Sequence, residues 1–238
     1  MAKRRSPLSR VVRGLLWLIG GWLVLTLGAV QLLRWVAPPT SAFMLRDRGV
    51  AWWQHDQTFH FQHEWVAWAN ISSQAKLAVI ASEDQKFAEH FGFDLESISA
   101  ALEERRKGGR TRGASTLSQQ VAKNLFLWPG QSWVRKGLEA WFTLLIESCW
   151  TKQRILEVYL NVAEFGKGVY GVGAASQSFF EKPAARLSAA DAAMLAAVLP
   201  SPKRFRVTAA SAYVRKRQQW ILGQMRAIAK DPAIDALI

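Results

Sequence analysis

The sequence predicts an all-α, mostly helical protein domain behind a single N-terminal transmembrane helix. Residues 14–33 contain no charged side chain, which is typical of a membrane-spanning segment. From Ser73 onward, apolar residues recur at spacings of three and four, the period of an amphipathic helix, and capping residues and Ala-rich runs accompany them. No convincing run of alternating polar and apolar residues follows, so we expect helices rather than a sheet.

The totals of the sequence limit the classes of function. Half of the 238 residues are hydrophobic, enough for one domain with a sizeable core and an appendage. Lys and Arg exceed Asp and Glu by 13, which favours an anionic partner: nucleic acid, a membrane surface or a phosphate-bearing substrate. The single cysteine, Cys149, excludes an intrachain disulfide and a cysteine zinc cluster, and its apolar neighbours indicate a small core residue.

Four segments are predicted along the chain. They are a cytoplasmic basic tip (1–13), a transmembrane helix (14–36), a connector (37–60) and an exported, periplasmic domain (61–238). At about 1.5 Å per residue, the uncharged stretch spans roughly the 30 Å of a bilayer core. The tip has five basic and no acidic residues, so the positive-inside rule places it in the cytoplasm. We therefore expect a single-pass protein of the inner (cytoplasmic) membrane. A cleaved signal peptide is the alternative, but its apolar region would be shorter.

Three histidines, His55, His60 and His63, stand close together after the anchor. Their spacing is irregular and no carboxylate triad accompanies them, which favours a surface or interfacial patch over a metal site. Residues 59–68, which include two of these histidines, fit either a short strand or a helical turn.

A carboxylate interrupts the apolar face of the next predicted helix. This helix begins at a serine cap, residue 72 or 73, and is predicted to extend to about residue 89 or 90. Leu77, Ile80 and Phe87 form its apolar stripe, and Glu83 falls inside that stripe. A carboxylate there is costly unless it is paired or protonated. Two interpretations remain open: a buried ion pair with a distant arginine, or a general base whose pKa is raised by partial desolvation. Gly92 is predicted to end the helix, and Asp94 to cap the next one.

The segment after that helix is strongly basic. It carries Arg105, Arg106, Lys107, Arg110 and Arg112 among glycines, a pattern that is usually a solvated loop.

The run GASTLSQQVAKN follows at once. Thr116 and Gln119 fit a capping box. Thr116, Gln120 and Lys123 then share one helix face. A hydroxyl, an amide and an ammonium at a helix N-terminus suit a phosphate or sugar ligand.

A second carboxylate, Glu139, lies three and four residues after Lys136 and Arg135. A surface salt bridge is the simple interpretation, but basic-before-acidic is the poorer order along a helix, and the neighbouring residues are apolar. A semi-buried carboxylate with two cations can instead hold a diphosphate, directly or through a divalent ion.

The run GKGVYG, residues 166–171, matches a dinucleotide-binding fingerprint, with Asp191 further on. That fingerprint requires a preceding strand. Because residues 152–166 are predicted to form a helix ending in glycine, we interpret the match as coincidental.

Five motifs in order resemble those of the peptidoglycan glycosyltransferases, the module also present in bifunctional penicillin-binding proteins. They are EDQKFAEHFGFD, GASTLSQQVAKN, RKGLE, KQRILEVYLN and the run from GAASQSFF to LPSPKRF. The resemblance covers about Phe61 to Pro202. With one anchor and no transpeptidase domain, the chain is similar to the monofunctional biosynthetic members. Phe179 and Asp191 stand where the family usually has Tyr and Glu, in a motif that bears no catalytic role.

The resemblance implies a lysozyme-like fold with a head domain and a smaller hydrophobic lobe near the membrane. It implies polymerisation of lipid II, a disaccharide-pentapeptide on undecaprenyl diphosphate, into linear β-1,4 glycan by inverting displacement. By position, Glu83 matches the general base and Glu139 a second essential carboxylate that helps to organise the donor diphosphate. Substrate-contacting positions are matched by Thr116, Gln120, Lys123, Arg135 and Lys136, and positions that shape the site by Asp84, Phe87 and His90.

No cofactor is certain from the sequence, although a divalent cation, magnesium or manganese, would assist the diphosphate leaving group. Lipid II, the growing lipid-linked glycan chain, the membrane and proteins of cell division or elongation are the expected partners, and nucleic acid is not. Two rival functions remain: a lysozyme-like enzyme that cleaves glycan strands, and a non-catalytic, membrane-anchored cell-wall scaffold. A hydrolase has no diphosphate donor to bind, and a scaffold needs no carboxylate on an apolar helix face.

Overall fold

The computed structural model describes residues 7–108 and 115–238 and divides into two compact units, Met1–Val36 and Ala37–Ile238. The first unit contains helix α1, Pro7–Leu33. Its stretch Arg10–Leu33 is long and apolar enough to cross a membrane, which fits a single-pass anchor. The helix begins inside the predicted basic tip, whose first six residues lie outside the described part.

The second unit is mostly helical, as predicted. Its helices are α2 Ala42–Trp53, α3 Ser73–Glu83, α4 Leu95–Arg106, α5 Leu117–Phe126, α6 Trp133–Cys149, α7 Lys152–Val162, α8 Val172–Phe180, α9 Ala189–Val198, α10 Ala212–Ile228 and α11 Pro232–Asp235. Short 3-10 helices occupy Trp68–Asn70 and Ala184–Arg186. Three short strands, β1 Gln62–His63, β2 Glu164–Gly166 and β3 Val169–Tyr170, form a sheet in which β3 is central, parallel to β1 and antiparallel to β2.

Two groups of helices build the core of this unit. In one group α3, α9 and α10 pack together, and in the other α5 packs against α6 and α7. All residues of α3 from Ala75 to Ala81 are buried. The C-terminus of α3 meets the N-terminus of α5, because the Asp84 carboxylate accepts a hydrogen bond from the backbone N–H of Leu117 at 2.9 Å. The carboxylate of Glu83 is thereby placed beside α5.

The helix expected to reach residue 89 or 90 ends earlier, at Glu83. Its cap is Ser72, and Asp94 caps α4 as predicted. The chain leaves the helix because Asp84 turns to contacts outside it, and its φ of −163° is extended. Phe87 is fully buried from the turn that follows, so its place in the apolar pattern did not require a longer helix.

The segment predicted as a connector contains a helix. Residues 37–60 include α2, which is capped by the Ser41 side chain and packs against α5 within the second unit. The three histidines of this region are not part of any group of described residues that could hold a metal ion. His55 and His60 are exposed, whereas His63 lies in β1 with Nε2 3.1 Å from the carbonyl of Asn161.

The predicted helix over residues 152–166 is too long by one turn. α7 ends at Val162, and β2 follows, so a strand does precede GKGVYG. That strand belongs to an antiparallel hairpin with β3, unlike the parallel β-α-β unit of a dinucleotide site. Gly168 and Gly171 adopt φ values of +79° and +82°. Asp191 forms a capping box at the start of α9.

Candidate active site

Glu83 stands where two clefts meet. It is the last residue of α3, and 13% of its side chain is exposed. The larger cleft has a volume of about 760 Å³, and the other about 630 Å³. Besides Glu83, the larger cleft is lined by Ser82, Ser115, Gln120, Pro200, Tyr213, Lys216, Arg217 and Trp220. The smaller cleft extends along α4, past Asp94, Ser97, Ala100, Ala101 and Glu104.

Two side chains hold the Glu83 carboxylate. Gln120 Nε2 donates a hydrogen bond to Oε2 at 3.0 Å, and the hydroxyl of Tyr159 donates to Gln120 Oε1 at 3.3 Å, which orients the amide. Arg217 Nη2 lies 3.5 Å from Oε1. Burial raises the pKa of Glu83, while the Gln120 hydrogen bond and the charges of Arg217 and Lys123 act in the opposite direction.

Both interpretations of Glu83 left open by the sequence therefore have a structural counterpart. A distant arginine is present, as an ion pair requires. Burial nevertheless raises the pKa of the carboxyl, as expected of a general base. Sequence reasoning missed Arg217, because nothing local to α10 indicates that it faces α3.

Asp84, Phe87 and His90 form the turn behind Glu83. One oxygen of Asp84 binds the Leu117 N–H, and the other lies 2.9 Å from His90 Nε2. The side chains of Asp84 and His90 are 3% and 10% exposed, and Phe87 is buried beneath Lys152 Nζ, 4.6 Å from the ring centroid. This placement suits the predicted shaping role, which stays a prediction.

Burial differs among the three residues of the predicted ligand-binding face, Thr116, Gln120 and Lys123. Thr116 is 1% exposed, completes the predicted capping box with Gln119, and donates its hydroxyl to Gly92 O at 2.7 Å. Its side chain is therefore engaged within the fold. Gln120 and Lys123 are half-buried, and Gln120 lines the larger cleft.

Glu139 lies between two cations on α6. Arg135 Nη1 donates to Oε2 at 2.6 Å, and Lys136 Nζ donates to Oε1. The side chains of Arg135 and Glu139 are 10% and 3% exposed, whereas that of Lys136 is 45% exposed. The group is thus a mostly buried ion pair with one cation at the surface, rather than a plain surface salt bridge.

Lys123 connects the two carboxylates electrostatically. Burial lowers the pKa of its ammonium, while the charges of Glu139 and Glu83 raise it and that of Arg135 lowers it. Lys123 therefore lies within electrostatic range of both acids. Its ammonium also stands 5.8 Å from the ring centroid of Phe43.

A second buried network supports the site and was not predicted. Glu147 accepts hydrogen bonds from Ser118 and, at 2.8 Å, from Lys152 Nζ. Lys152 also donates to the backbone carbonyl of His90. This network joins α5, α6 and α7 to the turn behind Glu83, and only the packing of these helices reveals it.

The described residues do not fit a divalent cation well. No group of three or more His, Cys, Asp or Glu side chains that could hold a metal occurs among them. Glu139 is already neutralised by Arg135 and Lys136. A cation such as Mg²⁺ prefers several oxygen ligands, so no step proposed below passes through a metal.

The basic loop is described only in part. Arg105, Arg106 and Lys107 are exposed at the end of α4, where Lys107 pairs with Glu103 at 2.7 Å. Arg110 and Arg112 lie outside the described residues.

Comparison with known proteins shows the family of this chain. A family model described as Transglycosylase matches residues 53–226. The chain belongs to this family.

Three relatives illustrate the similarity. The chain is 56% identical over 218 residues to a protein of Pseudomonas putida, covering 92% of this chain and 90% of the relative. It is 53% identical over 221 residues to a protein of Pseudomonas aeruginosa, covering 93% of each chain. For a protein of Pseudomonas syringae pathovar syringae the identity is 50% over 233 residues, covering 98% and 97%. Each of these relatives is named biosynthetic peptidoglycan transglycosylase.

Proposed function

We propose that this transglycosylase is a peptidoglycan glycosyltransferase that polymerises lipid II into linear β-1,4 glycan strands and releases undecaprenyl diphosphate. The names of its relatives and the five sequence motifs support the substrate class. The observation that carries the mechanism is the desolvated carboxylate of Glu83 at the junction of two clefts, with Lys123 within electrostatic range of both Glu83 and Glu139.

Glu83 acts as the general base. It accepts the proton of the 4-hydroxyl on the N-acetylglucosamine of the acceptor as that oxygen attacks C1 of the donor, the lipid-linked growing glycan. The bond from C1 to the diphosphate oxygen breaks, and the anomeric centre inverts. A sugar hydroxyl is a weak acid, so proton removal helps only as the new bond forms, and a base poised near neutral pH is best suited to this. Burial, which raises the pKa of Glu83, acts toward that condition.

The cations near Glu139 act on the leaving group. Negative charge grows on the diphosphate as the bond to C1 breaks, and positive groups already in position stabilise that charge most effectively. Lys123, Arg135 and Lys136 are the candidates, and Glu139 holds Arg135 and Lys136 in place. Because Arg135 is largely buried, Lys136 and Lys123 are the members that reach the diphosphate most directly.

The anchor keeps the domain beside its lipid-borne substrate. We propose that α1 crosses the inner membrane with its basic end in the cytoplasm and the second unit in the periplasm, as the positive-inside rule indicates. We also propose that proteins of cell division or elongation are partners of the second unit on the periplasmic side of the membrane.

Polymerisation of purified lipid II by the detergent-solubilised full chain tests the function. Wild type, Glu83→Gln and the control Glu103→Gln are compared, with products resolved by gel or chromatography. Glu103 is an exposed acid that pairs with Lys107. This pair has the same sequence spacing as the pair of Arg135 and Glu139, but it lies at the surface. Polymer from wild type and the control, but not from Glu83→Gln, is expected.

Other outcomes would contradict the proposal in distinct ways. Equal activity of Glu83→Gln would move the base elsewhere, with Glu139 examined next. Folded wild-type protein that makes no polymer would favour the scaffold, and digestion of preformed glycan would favour the cleaving enzyme.

A further inference from the structure

Arg217 is a charged neighbour of Glu83 that comes from a distant part of the chain. It lies on α10, which is buried through Val214, Ile221 and Met225 and packs against α3 and α9. Its Nη2 atom lies 3.5 Å from Glu83 Oε1, and 22% of its side chain is exposed. α10 therefore presents a guanidinium at a defined position on the wall of the larger cleft.

A second contact joins α10 to the residues that follow Glu83. Gln85 Nε2 donates to Gln224 Oε1 on α10 at 3.0 Å and to the carbonyl of Ala81 on α3 at 3.0 Å. The end of α3 and α10 are therefore joined by a second contact besides the ion pair of Glu83 and Arg217. The place of Arg217 relative to Glu83 does not depend on one long side chain alone.

Charged and titratable groups approach Glu83 from α5, α7 and α10. α9, which also packs against α3, carries Asp191 at its start, where that acid binds Lys182. The groups that act on Glu83 or adjoin it are Asp84 next in the chain, Lys123 on α5, Tyr159 on α7, and Lys216 and Arg217 on α10. Among the described residues, Arg217 is the one that forms an ion pair with it.

We propose that Arg217 is a positioning residue for the general base: its guanidinium holds Oε1 of Glu83 while the Gln120 amide holds Oε2. The two contacts orient the carboxylate at the junction of the clefts, where the hydroxyl of the acceptor must arrive. The inference rests on the proposed function, in which Glu83 accepts that proton.

The length of the ion pair explains how Arg217 can assist a base without disabling it. Arg135 contacts Glu139 directly at 2.6 Å, whereas Arg217 lies 3.5 Å from Glu83. An opposite charge favours the ionised carboxylate, and attraction weakens with distance. Arg217 therefore limits the rise in the pKa of Glu83 that burial causes.

The test is the pH profile of lipid II polymerisation by the full chain. Wild type is compared with Arg217→Gln, Arg217→Met, Arg217→Lys and the control Arg215→Gln. Arg215 is an exposed arginine on the same helix and outside both clefts. The Met variant keeps an apolar stem at this position and provides the test if the Gln variant fails to fold.

Loss of the guanidinium is expected to lower kcat by about tenfold or more at the acidic end of the profile, with little change in KM. The acidic limb should move to higher pH in Arg217→Gln or Arg217→Met, because removal of a positive charge raises the pKa of Glu83. Arg217→Lys should restore the limb in part, and Arg215→Gln should match wild type.

The inference would be overturned if the acidic limb of the Gln or Met variant stayed at the wild-type pH and only KM changed. Arg217 would then be a substrate-binding group. A kcat equal to that of wild type at every pH in the Gln and Met variants would also overturn the inference. Failure of wild type to polymerise lipid II would instead overturn the proposed function, so the two failures are distinguishable.

Discussion

The side chains of Glu83 and Glu139 are both largely buried. Their hydrogen-bond and ion-pair partners differ. Glu139 receives direct hydrogen bonds from two cations on its own helix. Glu83 receives one hydrogen bond from a neutral amide, and its ion-pair partner stands 3.5 Å away on another helix. Only Glu83 of the two lines the described clefts.

This difference separates their roles. A carboxylate that accepts direct hydrogen bonds from two cations is a good anchor for them. A desolvated carboxylate with weaker partners is a better base. Glu83 therefore suits proton transfer, and Glu139 suits the positioning of positive charge for a diphosphate.

The largest expected effect follows from replacing the base. Glu83→Gln keeps the size of the side chain and removes its basicity, so kcat for polymerisation should fall by roughly 10²- to 10⁴-fold. Its free energy of unfolding should change by less than about 1 kcal/mol, because removal of a desolvated charge offsets the loss of its contacts with Gln120 and Arg217. Steady-state kinetics and denaturant unfolding measure the two quantities. A large loss of stability together with activity would make Glu83 a structural residue.

Glu139→Gln should show the opposite balance in stability. It leaves Arg135 buried without its counter-charge, and breaking a buried pair in this way costs about 3 kcal/mol. Glu103→Gln removes an exposed pair of the same helical spacing as Arg135 and Glu139, and should cost less than about 1 kcal/mol. Equal unfolding free energies for the two variants would contradict the assigned burial of the Glu139 pair.

Lys123 tests the link between the two acids. Lys123→Gln should lower kcat/KM by about 10²-fold, as loss of one group that stabilises transition-state charge does. Burial lowers the pKa of Lys123, so wild-type activity should fall on the alkaline side as this ammonium deprotonates. Lys123→Arg retains its charge to higher pH, and its alkaline limb should move upward. An unmoved limb would exclude Lys123 as the group that titrates.

The smallest expected effect is a pH dependence of stability. The pKa of Glu83 is raised in the folded state above the ordinary value of 4.5. The folded state then binds more protons than the unfolded state, so this contribution is complete below about pH 4.5 and is lost as pH rises through the folded-state pKa. As pH rises through this range, the free energy of unfolding of Glu83→Gln should therefore increase relative to that of wild type. Parallel curves of unfolding free energy against pH would contradict the raised pKa.

Local features of the fold were predictable from the sequence, and long-range ones were not. Ser72, Asp94 and Thr116 cap helices as predicted, since capping depends on residues three positions away or fewer. The C-terminus of α3 was predicted too late, because Asp84 ends that helix through a contact with Leu117 on another helix. The short sheet was not predicted for the same reason, since β1 pairs with β3 more than 100 residues later in the chain.

For the candidate site, the sequence by itself determined the apolar anchor helix, the acid on an apolar face and the cationic group around Glu139. These features involve neighbours within one helix, where spacing alone decides which side chains meet. Only the tertiary structure decided that Arg217 and Gln120 approach Glu83, that Thr116 is buried, and that two clefts meet at this acid. Such contacts join residues on different helices, and they exist only once packing of the apolar faces has set how those helices lie against each other.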